Sequence, residues 1–193
     1  MKSEGRFCQM DKTQLIENVI EQIKEIQLKL GFAKETTRLY FPVESLCQLL
    51  RTEPMNGAKL LSILESDKSF DDTVLGYIRF FLCKGERMEV RIPAEGAAYV
   101  HESVPDPPFL VSMIGLFQEH HHLTIDKICT CFAAFNEHYV CEKMQPGADF
   151  DYVLYFPDQK PDPWYYCIRM EMGHTIYHRF TEADYRAIIS PGT

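Results

Sequence analysis

Ile16, Val19, Ile23, Ile26 and Leu30 recur at three- and four-residue spacing and predict a helix over residues 11–30. Asp11 with Gln14 resembles a capping box, Gly31 supplies a stop, and Glu25 and Lys29 stand as an i,i+4 pair. "TRLYFPVESLCQLLR" reads as a short strand through Leu39–Phe41, a helix start at Pro42, and an apolar face of Leu46, Leu49 and Leu50. "NGAKLLSILE" predicts a further short helix. Tyr77–Phe81 and Met88–Ile92 alternate as strands around Lys84-Gly85, and Ala97–Glu102 is expected to add a third.

"SVPDPPF" is a proline-rich break, with Asp106 as N-cap and Pro107 or Pro108 in the first turn. The helix it opens, Phe109 to His120, is apolar nearly all round through Phe117, which predicts burial on every side. Thr124 starts another helix with Ile125, Ile128, Phe132, Phe135 and Tyr139, ended by "MQPGADFD". Strands follow at Tyr152–Phe156, Trp164–Met170 and Thr175–Phe180, and "TEADYRAII" closes the chain as a helix from Thr181.

The expected class is α+β: helices with two antiparallel β-meanders, in an order that fits tandem winged-helix-like units over 1–105 and 106–193. A single compact domain is the alternative packing. An internal duplication would explain this order. "YIRFF" (77–81) lies 75 residues before "YVLYF" (152–156), and "VRIPAEGAAYVHE" can be laid on "IRMEMGHTIYHR". Arg91 then meets Arg169, Gly96 meets Gly173 as equivalent turns, and Tyr99 meets Tyr177. The helix from Phe109 would lie between the two copies.

The hairpin "WYYCIRMEMGHTIYHRF" offers the most chemistry. A turn at Met172-Gly173 pairs Cys167 with His178, Arg169 with Ile176 and Glu171 with His174. Cys167 opposite a His178 base has the makings of a nucleophile, Arg169 of an anion contact, and Glu171 of a group orienting His174. The competing reading is the wet face of a half-buried hairpin, since no glycine-rich elbow or oxyanion loop accompanies the pair.

Candidate metal ligands stand at His120-His121-His122, at His138 with Cys141, at Cys129 with Cys131, and at His174 with His178. None has the paired spacing of a zinc site, so neither metal nor cofactor is expected. Trp164 and Tyr165, beside "PDQKPDP", form an aromatic platform with Lys160 as its one nearby cation before Arg169. That favours core packing or a protein contact over stacked bases.

Charge sharpens this choice. The net charge is −8, with 14 basic against 16 acidic residues up to position 105 and 6 against 12 beyond it. Such a field opposes nucleic acid. The seven cysteines, an odd number in a chain that opens "MKSEGRFCQM" without an apolar leader, read as reduced thiols of a cytoplasmic protein. No apolar run is long enough to span a bilayer.

"RLYFP", "DYVLYFPD", "PDPWYYC" and "YHRFTEADY" together resemble an uncharacterised bacterial protein family of gut Firmicutes, a domain of unknown function. The resemblance covers most of the chain and implies no activity, ligand or catalytic residue. The expected function is a non-enzymatic cytoplasmic interaction or regulatory module. It would bind a protein partner through acidic and aromatic surface, with Trp164, Tyr165, Arg169, Glu171 and His174 as contacts. That partner could be a second copy joined through helix 11–30. A winged-helix DNA-associated regulator is the alternative, and an enzyme using Cys167 and His178 the third reading.

Overall fold

The structure is a computed structural model that describes residues 11–120, 122–159, 163–171 and 173–189. It is α+β, with two antiparallel sheets of three and four strands. The chain divides at Val104/Pro105 into two compact units.

In the first unit, α1 (Lys12–Leu30) is followed by β1 (Thr37–Pro42), α2 (Val43–Leu49) and α3 (Gly57–Ser66). A short 3-10 turn leads to β2 (Arg79–Cys83), β3 (Arg87–Ile92) and α4 (Ala94–Ser103). Asp11 caps α1 by accepting from the Thr13 amide, and Glu25 meets Lys29 at 2.7 Å. Of the predicted stripe, Val19 and Ile23 are buried in this unit's core beside Leu15, and Ile16 packs half-buried against it, so this part of the stripe packs on its own unit. Ile26 and Leu30 stay exposed.

The sheet order β1-β3-β2 differs from a meander, because β1 pairs with β3 across about 50 residues of chain. The predicted third strand, Ala97–Glu102, is instead the body of α4. Pro93 occupies the N-cap, and Gly96, Ala97 and Val100 form the buried stripe of a helix rather than alternating. Two side chains of α1 reach its carbonyls: Lys24 Nζ donates to Val100 O and Gln27 Nε2 to Ala97 O.

The second unit runs α5 (Pro108–Glu119), α6 (Ile125–Phe135), β4 (Val140–Lys143), β5 (Tyr152–Tyr155), β6 (Tyr165–Glu171), β7 (His174–Phe180) and α7 (Glu182–Ile189). Its sheet is a meander in the order β4-β5-β6-β7. "MQPGADFD" does not end α6, which stops at Phe135. It joins β4 to β5 as a hairpin loop, closed by a hydrogen bond from Met144 N to Asp151 O. On one sheet face Phe109 and Phe132 pack edge-on to Tyr166. On the other, Tyr185 of α7 stacks on Tyr165 at 4.4 Å. Thr181 caps α7, its hydroxyl accepting from Asp184 N.

α5 starts from Pro107 as N-cap rather than Asp106. It is not covered all round. Leu110, Met113 and Ile114 are buried, but Val111 is 44% exposed and Phe117 is only half-buried, edge-on to Tyr177.

The internal duplication fails on these elements. Residues aligned on β7 lie in α4, the strand orders differ, and the two glycines have different jobs. Gly173 turns a hairpin with φ +96°, a value that glycine adopts without a Cβ penalty. Gly96 sits in a helix, and a Cβ there would meet the Leu75 carbonyl oxygen at 2.3 Å.

Two substitutions test this packing. Gly96→Ala must push backbone against backbone and is expected to destabilise the first unit by about 1–3 kcal/mol, read from the shift in urea midpoint. Phe132→Ala, at a fully buried ring, is expected to cost about 3–5 kcal/mol, and Phe117→Ala clearly less.

Candidate functional site

The β6–β7 hairpin has the register that alternation predicts: Cys167 opposite His178, Arg169 opposite Ile176 and Glu171 opposite His174. The face they share is split along its length. Its near end is covered. Cys167 is fully buried with Val153 and Tyr185, among Met144, Phe150, Tyr155, Tyr165 and Phe180. Burial pushes the Cys167 thiol up to about 12, so it stays protonated at neutral pH and offers no thiolate. His178 is exposed and lies among aromatic rings, 5.6 Å from Phe150 and 6.1 Å from Phe180.

The far end of the face is open. Arg169 Nε meets Glu171 Oε1 at 2.8 Å, with each side chain about half exposed, and His174 is exposed beside them. Arg169 thus has a carboxylate of its own on the same strand. Met172 lies outside the described residues.

Trp164 is not a platform. It is 7% exposed, and the Arg179 guanidinium sits 4.0 Å over its ring. Tyr165 is half-buried between Tyr155 and Tyr185, which raises its phenol, chiefly through burial. Lys160, His121 and Cys8 lie outside the described residues. Among the described residues, no three His, Cys, Asp or Glu side chains form a group that could hold a metal. His138 faces Asp158 at 3.8 Å. Cys141 contacts Cys129, and its thiol is pushed up to about 12, first by burial and then by that contact.

The first unit's sheet carries a candidate site that sequence reading missed. Leu39, Phe41, Phe80, Met88, Val90 and Ile92 are all buried in the core. Strand alternation therefore sends Arg38, Tyr40, Arg79, Phe81, Arg87, Glu89 and Arg91 to the opposite face. Register then aligns three arginines: Arg38 lies opposite Arg91, and Arg91 opposite Arg79. Like charges directly opposite on neighbouring strands repel, by about 0.7 kcal/mol per pair at 6 Å in water.

One carboxylate offsets this. Glu89, 7% exposed, holds Arg91 at 2.7 Å, approaches Arg38 at 3.9 Å and accepts from the Tyr40 hydroxyl. Arg91 also lies 4.1 Å over the Phe81 ring. Among the described residues, Arg79 has no carboxylate partner and rests 5.4 Å over Tyr77. Arg87 donates to Tyr40 O. The face is open: Tyr40 is 49% exposed, and Arg38, Arg79 and Arg87 are exposed.

The signal for this face was in the sequence as alternation in "TRLYFP", "RFFLC" and "RMEVRI". What brings its parts together is the β1–β3 pairing, which no local pattern reveals.

Residues 12–189 match the model of a family described as a domain of unknown function, E. rectale gene description (DUF3877). No curated protein and no solved structure matches the chain. Among the described residues no helix is long and apolar enough to cross a membrane.

The buried thiol has a measurable consequence. Burial raises Cys167 from an ordinary value of 9.0 to about 12 in the fold, so the unfolded chain binds fewer protons between those values. Stability is then fully present below pH 9 and falls as pH rises toward 12. Tyr185, raised from 10.0 to about 12, acts in the same direction. The urea midpoint is expected to drop across this window, less steeply in Cys167→Ala. A native Cys167 that reacts with a thiol probe near pH 6 would contradict the assignment.

Proposed function

The chain belongs to this family of domains of unknown function, a membership that assigns no chemistry, and from its geometry we propose a non-enzymatic interaction module that holds a protein partner. The contact surface in this reading is the arginine face of the first unit, on a cytoplasmic protein. The observation that carries it is the cross-strand row Arg38–Arg91–Arg79, served among the described residues by the one carboxylate of Glu89. Such a row tolerates its own repulsion in the free chain and gains by meeting an anionic group. The acidic and aromatic surface expected from composition, including Trp164 and Tyr165, gives way to this face because those rings are packed inside the second unit.

DNA regulation is the second reading. The first unit's element order, α1-β1-α2-α3-β2-β3 with sheet order β1-β3-β2, is winged-helix-like. In that arrangement α3 would be the helix offered to a groove. It carries Lys59 against Glu65 and so brings no net positive charge to phosphate. With −8 on the whole chain, this supports a protein partner over DNA. A thiol enzyme is disfavoured by the neutral, buried Cys167.

Photo-cross-linking decides the surface. A cross-linking amino acid at Tyr40, in the full chain inside cells that express it, is expected to give one protein adduct that weakens with salt. The adduct should vanish when Arg38 and Arg79 are both changed to Glu. Equal adduct formation from Val74, which is exposed but off the row, or adducts with nucleic acid alone, would count against this reading.

A further inference from the structure

We infer that the segment held on the arginine face is an acidic helix lying across the strands, with carboxylates at i, i+4 and i+7 over Arg38, Arg91 and Arg79. This rests on the reading of that face as the contact surface and adds the chemistry and geometry of what it contacts. Neighbouring strands stand about 4.8 Å apart, so the three arginine stems span about 10 Å. Positions i to i+7 of a helix also span about 10 Å along its axis, with an intermediate carboxylate near the middle. Three side chains on one side of an extended peptide span about 13–14 Å, which overshoots the row by most of a strand spacing. A helix matches the row more closely than an extended acidic peptide does.

The face is built for carboxylates more than for bases. Arginine's planar fork takes a carboxylate through two parallel hydrogen bonds. Arg91 is already fixed by Glu89 at 2.7 Å and by the Phe81 ring at 4.1 Å, so little rotamer freedom remains to be lost on binding. Phe81 is capped by Arg91, which takes one stacking surface away from a single-stranded nucleic acid. Net charge acts in the same sense. A long polyanion extends beyond the row into the field of a −8 protein, whereas a short acidic stripe places its charge only over the arginines.

The test uses the full chain and fluorescence anisotropy with three labelled probes. Two are alanine-based helical peptides of identical composition, one with Glu at i, i+4 and i+7, the other with the same three Glu at i, i+2 and i+5. The third is an oligothymidylate. At low salt the matched peptide is expected to bind at least about fivefold more tightly than its isomer, the scale of a few exposed ion pairs. That preference should disappear in Arg38→Gln/Arg79→Gln, whose thermal melt should be no lower than the wild type's because both side chains are exposed and their loss relieves repulsion with Arg91. Equal binding of the two peptides, both lost in the double variant, would overturn the helix and leave the arginine face standing. Binding that the double variant does not change, or no binding at all, would overturn the inference, while cross-linking from Tyr40 judges the face independently. Tighter binding of oligothymidylate than of the matched peptide would assign the row to nucleic acid instead.

Discussion

The two-residue period of β3 governs the first unit. Met88, Val90 and Ile92 are fully buried, and a strand cannot bury alternate residues without presenting the others on the far side. Arg87, Glu89 and Arg91 are therefore forced onto the opposite face. β1 and β2 flank this strand in a register that places Leu39 and Phe80 beside Val90. That same apolar match sets Arg38 and Arg79 on either side of Arg91. A one-residue slip would bring polar residues into the core, so hydrophobic packing alone fixes where the charges stand.

The second unit applies the period on both sides of a sheet. Tyr166 and Cys167 are neighbours on β6 and are both buried, one beneath α5 and α6, the other beneath α7. A helix over each face leaves little of the central strands wet. The hairpin's chemical residues are thus divided by the reach of α7: Cys167 falls under it, while Arg169 and Glu171 extend past its cover and pair with each other.

Sequence reading succeeded where the signal is local and failed where it is not. The α1 cap at Asp11, the Glu25–Lys29 pair and the hairpin register around Gly173 each depend on residues a few positions apart. α4 was mistaken for a strand because "AAYVHE" is too short to separate a period of two from one of 3.6, and Tyr and Val weigh toward strand. β4 was hidden in the tail of a helix because Tyr139 continues the spacing of Phe132 and Phe135 beyond the helix end at Asn136. The candidate site was least legible of all. Each arginine sat visibly in an alternating run, but their assembly depends on β1 finding β3 instead of a sequential neighbour.

Glu89 makes the arginine face a self-competing surface. It is attached to the strand it serves, so it challenges any incoming carboxylate at a high effective concentration. A carboxylate brought to Arg91 would have to share or displace it, which would shorten residence more than it would slow encounter. Under the proposed reading, such a face would suit exchange, taking and releasing successive partners rather than sealing one permanently.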